Sequence, residues 1–152
     1  MQPIHEAALN GDLATVKRLC EQGVSLLTIT DDFGSQPIHY AANNGHVAIV
    51  QWLFEQGVSL TAADDFGTQP IHDAARYGQL ETIEWLHAQG VSLTAADDFG
   101  TQPIHDAARN GDVATVQALC ELGAEVTATD NFGRQPMHLA TTYGHDLSQW
   151  LA

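Results

Sequence analysis

The sequence predicts an all-α repeat solenoid, a stack of helix-turn-helix units joined by β-hairpin-like turns. Three observations carry that prediction. Phe33, Phe66, Phe99 and Phe132 stand 33 residues apart, each followed by a glycine (Gly34, Gly67, Gly100, Gly133). Pro37, Pro70, Pro103 and Pro136 keep the same step, as do His39, His72, His105 and His138. Gln56 to Arg76 reads the same as Gln89 to Arg109. A fixed period of this length marks stacked supersecondary units, which bury their apolar faces mainly on their neighbours. Such a body is a scaffold, and its function lies in the surface it displays.

Within Asp64 to Gly90 each element follows from local chemistry. Asp64-Asp65-Phe66-Gly67 is a turn signal, with aspartates that favour turns and a glycine able to take positive φ. Pro70 opens a helix, where its missing N–H costs nothing. Ile71, Ala74 and Ala75 make a narrow apolar stripe at i, i+3, i+4, small enough for a neighbouring helix to approach closely. Gly78 caps that short helix. A second helix places Leu80, Ile83 and Leu86 on its buried face and ends at Gly90. Val91, Leu93 and Ala95 alternate into the next turn. The whole chain, 1–152, reads as one domain of four to five repeats, with units at approximately 1–30, 31–63, 64–96, 97–129 and 130–152.

The helix start recurs as Gln36-Pro37-Ile38-His39-Tyr40-Ala41-Ala42, as Gln69 to Ala75, as Gln102 to Ala108, and as Gln135-Pro136-Met137-His138-Leu139-Ala140. The second helix repeats Gly45, Val50, Leu53, Gly57 as Gly111, Val116, Leu119, Gly123. This unit resembles the ankyrin repeat, whose signature is T-P-L-H-x-A after a β-turn. The resemblance covers essentially the whole chain. It implies a histidine ladder bonding to neighbouring turns, and a concave groove lined by the first helices through which partners commonly bind. Three departures stand out. Glutamine replaces the capping threonine in every unit, so that helix start must be capped differently. One extra residue sits near Leu27, because Pro3 to Pro37 spans 34 residues rather than 33. The last segment, Gly144 to Leu151, is a residue shorter than Gly45 to Leu53, and its polar Asp146, Ser148 and Gln149 suit an end cap rather than a cut from a longer protein.

Composition narrows the function classes. Net charge is −14, with Lys17, Arg18, Arg76, Arg109 and Arg134 the five cations. A phosphate backbone would be repelled, which argues against nucleic acid as a partner, and anionic membranes are disfavoured alike. The acidity serves solubility or a high-salt habitat ahead of one particular basic partner. No run approaches the ~20 apolar residues of a membrane helix, and the N-terminus lacks a signal-peptide pattern. Cys20 and Cys120 fall in repeats three units apart, too far for a disulfide, which suits a reducing, cytoplasmic setting.

Chemical readings are weak. Repeated histidines a helix spacing apart cannot converge at ~2.0–2.1 Å on one zinc ion. Asp31-Asp32, Asp64-Asp65 and Asp97-Asp98 offer two carboxylates per turn, short of the six to eight oxygens calcium takes. No nucleophile elbow or phosphate loop occurs. The expectation is a protein without catalytic residues, cofactor or metal.

Binding candidates are the positions that vary or stand out. Phe66 and Phe99, within the Phe row, are read as rings that either fold back on the next repeat or present an aromatic row to a partner. After each histidine come Tyr40, Asp73, Asp106 and Leu139, and towards the helix ends Asn43, Asn44, Arg76, Tyr77, Arg109, Asn110 and Tyr143. Trp52 and Trp85 share a second-helix position and read as packing residues. The expected function is a monomeric protein–protein interaction module, binding a partner protein, possibly basic, through turn tips and concave helices. The alternatives are an acidic decoy that imitates nucleic acid, or a regulatory or targeting arm cut from a larger protein.

Overall fold

The computed structural model describes residues 2–146. Nine helices occur among them: α1 (Pro3–Asn10), α2 (Leu13–Glu21), α3 (Pro37–Asn43), α4 (Val47–Glu55), α5 (Pro70–Arg76), α6 (Leu80–Ala88), α7 (Pro103–Arg109), α8 (Val113–Glu121) and α9 (Pro136–Thr142). Each odd-numbered helix packs on the next odd one, α1 on α3, then α5, α7 and α9, and each pairs with the even helix that follows it, through α8. No described segment is a strand. The end-cap reading of Ser148 and Gln149 lies outside the described residues.

Short odd helices form because proline stands at their first turn with its φ already set, and because paired alanines let backbones close up. Ala41, Ala42, Ala74, Ala75, Ala107 and Ala108 are all fully buried between isoleucines 38, 71 and 104. The even helices close the other side of the core with Val50, Leu53, Ile83, Leu86, Val116 and Leu119. Leu80 departs from expectation. It opens α6 and is only half-buried, whereas Thr82 is fully buried with a hydroxyl that finds no partner among the described residues. Asp12 and Asp112 cap α2 and α8 by accepting from Thr15 N–H at 3.0 Å and Thr115 N–H at 3.2 Å.

The extra residue near Leu27 is taken up without disturbing the stack. Residues 26–28 make a wider turn, with Ile29 N–H donating to Ser25 carbonyl at 3.0 Å, and Leu27 is pushed out to 63% exposure. Trp52 and Trp85 lie half-buried against the core, the latter edge-on to Phe54 at 6.0 Å. That placement agrees with packing residues on the outer helices.

Candidate functional site

Each hairpin tip is built around one carboxylate. Asp64 Oδ1 accepts from Phe66 N–H at 2.8 Å and from Thr68 N–H at 2.9 Å, and Asp97 does the same for Phe99 and Thr101 at 2.9 Å each. The first residue of each acidic pair therefore folds the turn. The second residue stitches tips together: Asp65 N–H donates to Phe33 carbonyl at 2.9 Å, Asp98 N–H to Phe66 carbonyl at 3.0 Å. Its side chain is left exposed. Fixed at both ends, the turn holds its phenylalanine outward. Phe66 and Phe99 are each 47% exposed, so the rings do not fold away onto the adjacent repeat.

The histidines solve the capping problem that glutamine creates. His72 Nδ1 accepts from Gln69 N–H at 3.0 Å, while Nε2 donates to the carbonyls of Thr101 at 3.0 Å and Ala95 at 2.8 Å. His39 and His105 repeat the pattern onto Thr68 and Arg134 carbonyls at 3.0 and 3.1 Å. The glutamine side chains do not take over the missing cap: Oε1 of Gln69 and of Gln102 is buried without a partner among the described residues. A ring that accepts at Nδ1 and donates at Nε2 is neutral. At His39, burial holds the imidazole below its ordinary value of 6.5 although the carbonyls pull the other way. Both nitrogens of these rings are spent on backbone, which leaves no lone pair for a metal ion.

Between the tips and the odd helices runs an open groove of about 690 Å³. It gathers eight of the expected binding residues: Tyr40, Asn43, Phe66, Asp73, Arg76, Tyr77, Phe99 and Arg109. The other four lie elsewhere. Asn44 donates to Leu9 carbonyl at 2.8 Å and Asn110 to Arg76 carbonyl, so both tie one repeat to the one before. Tyr143 is exposed beyond the groove, with the Arg109 guanidinium 5.7 Å from its ring. Asp106 has no exposed surface and sits beneath the floor. Expected from the sequence as a binding candidate, it has no surface of its own to offer a partner.

Asp106 anchors the floor electrostatically. Its Oδ1 lies 3.3 Å from Arg76 Nη2 and 3.9 Å from Arg109 Nη1, while Arg76 Nη1 is 3.7 Å from Asp73 Oδ1. Burial raises the Asp106 carboxyl against the pull of Arg76, His72 and Arg109. Burial likewise pushes Asp73 up to about 7, opposed by Arg76 and assisted by the charges of Asp64 and Asp106. The reasoning from sequence missed Arg134, which also lines the groove. A signal was available: it is one of five cations and stands where the other units carry Ser35, Thr68 and Thr101. Three of the five cations thus face one groove in a chain of net charge −14.

A stack of proline-started helix pairs with a backbone-bonded histidine ladder and an open groove under hairpin tips defines a helical repeat solenoid. The family model for ankyrin repeats (3 copies) matches residues 4–97 and 71–152, and the chain belongs to that family. Among curated proteins, none matches the chain. Ankyrin repeats are in general protein–protein interaction modules. No helix among the described residues is long and apolar enough to cross a membrane.

Proposed function

We propose that the chain is a non-enzymatic interaction module, cytoplasmic and monomeric, that seats a partner protein in the groove between its hairpin tips and odd helices. The observation that carries this reading is the outward aromatic row. Phe33, Phe66, Phe99 and Phe132 are between 47% and 68% exposed, all line one groove, and Tyr77 at 55% exposure faces them from the helix side. Aromatic side chains held rigid on a scaffold are the groups that dominate interface energy. An exposed apolar strip repeated at every step is a surface that soluble proteins otherwise avoid. The net charge of −14 over the whole chain favours a basic partner.

Exposed rings can be changed with little effect on the stack. Phe66→Ser with Phe99→Ser and Tyr77→Ala should abolish capture of the partner from a native lysate. The melting temperature should stay within a few degrees, since substitutions at exposed sites usually cost within ~0.5 kcal/mol each. Asp106 is left intact in this variant because of its burial. Capture that survives the ring changes but collapses as salt is raised would point instead to charge mimicry by the acidic surface.

A further inference from the structure

The fourth tip differs from the three before it at two residues, and position 131 is asparagine where positions 32, 65 and 98 are aspartate. Position 134 is arginine where positions 35, 68 and 101 are serine or threonine. The turn itself is unchanged: Asp130 Oδ1 accepts from Phe132 N–H at 2.9 Å and from Arg134 N–H at 3.0 Å, as in the tips of Asp64 and Asp97. What the arginine adds is a guanidinium laid over the tip. Arg134 Nε donates to Asp130 Oδ2 at 2.8 Å, and Arg134 Cζ stands 5.0 Å from the centre of the Phe132 ring. The second carboxylate oxygen and the aromatic face together hold one guanidinium, through a charge-assisted hydrogen bond and a cation–π contact.

The other tips carry the same carboxylate and the same ring. In the first, Asp31 Oδ2 accepts the Tyr40 hydroxyl. In the second and third, the residues at the Tyr40 position are Asp73 and Asp106, and no described side chain donates to Oδ2 of Asp64 or Asp97. Both tips have a further carboxylate, Asp73 or Asp106, on the helix opposite. Asp64 raises the carboxyl of Asp73, and Asp97 that of Asp106, although in both cases burial is the larger cause. Arg76 and Arg109 are already drawn to Asp73 and Asp106. Asp65 and Asp98 add an exposed carboxylate beside each ring.

We propose that the Asp64–Phe66 and Asp97–Phe99 tips are seats for two arginine side chains of an extended segment in the partner protein. The proposal deepens the groove reading and rests on it. Successive repeats are about 8–10 Å apart, and a polyproline-II segment has three residues per turn and rises about 3.1 Å per residue, so two arginines three positions apart share one face at about 9 Å. Arginine is specified over lysine because only a planar guanidinium can lie on a ring while its N–H edge meets a carboxylate. The net charge of −14 draws such a segment in.

The test is fluorescence anisotropy of a labelled, capped alanine peptide carrying two arginines three positions apart, titrated with the full chain. Binding should weaken about tenfold in the Phe66→Leu, Phe99→Leu double variant, which removes both ring faces and keeps apolar tips. Replacing both peptide arginines by lysine, or moving them six positions apart, should weaken it severalfold. Arg134→Thr with Asn131→Asp gives the fourth tip the turn residues of the second and third, so a peptide with three arginines at the same spacing should gain about fivefold. Equal affinity for the arginine and lysine peptides, or an unchanged affinity in the double-leucine variant, would overturn the seats, as would no binding at all. If the native partner is still captured in a Tyr77-dependent way while the arginine peptide fails these tests, the groove reading stands and the arginine seats fall.

Discussion

His72→Ala should destabilise the chain by about 3 kcal/mol, combining a core cavity with an uncapped helix start and an orphaned carbonyl. The ring is fully buried, so its loss leaves a hole that the rigid stack on either side cannot close. Gln69 N–H loses its acceptor, and the carbonyls of Thr101 and Ala95 lose their donor. One substitution therefore weakens both the start of α5 and the joint between two repeats. For a chain of this length the melting temperature should fall by roughly 6–12 °C. The same change at the exposed His138 should cost well under half as much. Equal melting temperatures for wild type and His72→Ala would remove the ladder from the account.

Gly78→Val carries the second-largest effect. Gly78 holds φ +70°, and a Cβ there would run into the carboxylate of Asp112. A branched side chain in the left-handed region costs about 1–2 kcal/mol, and pushing Asp112 away releases the cap on Thr115 N–H, worth about 1 kcal/mol more. Gly90→Val isolates the first contribution, because Gly90 has φ +95° with no neighbouring atom within 4 Å of the added carbon. Denaturant titration should rank the losses Gly78→Val above Gly90→Val, by roughly the value of the cap. The reverse order would contradict the placement of Asp112 against the turn.

Much of the fold is legible because each unit states its own chemistry. Proline marks each short helix, glycine ends it, and an aspartate two residues before each phenylalanine folds the tip. The histidine ladder could be expected from the resemblance. Its capping half could not, since it needs the ring to turn back onto Gln69 N–H as well as forward onto Thr101. The groove floor was less legible for a physical reason. Gln56 to Arg76 and Gln89 to Arg109 are identical, yet the Asp73 side chain keeps 14% exposure and that of Asp106 none. Their neighbours differ: Arg76 reaches Asp106 from the preceding repeat where Asn43 stands before Asp73, and Leu139 follows Asp106 where Asp106 follows Asp73. In a stack, burial and charge belong to neighbouring pairs of units, and no reading of one unit contains them.

The same separation divides scaffold from surface. Histidines, alanines and capping aspartates face the backbone or the core, while the phenylalanines and Tyr77 are held outward with few contacts of their own. The most direct measurement is amide hydrogen exchange on the full chain, with and without its captured partner. The account predicts slower exchange on binding in residues 64–77 and 97–110, which form the second and third tips and the helices opposite them, and no change in α4, α6 and α8. Protection centred on α4 and α6, around Trp52 and Trp85, with the tips unaffected, would contradict it and move the binding surface to the outer helices.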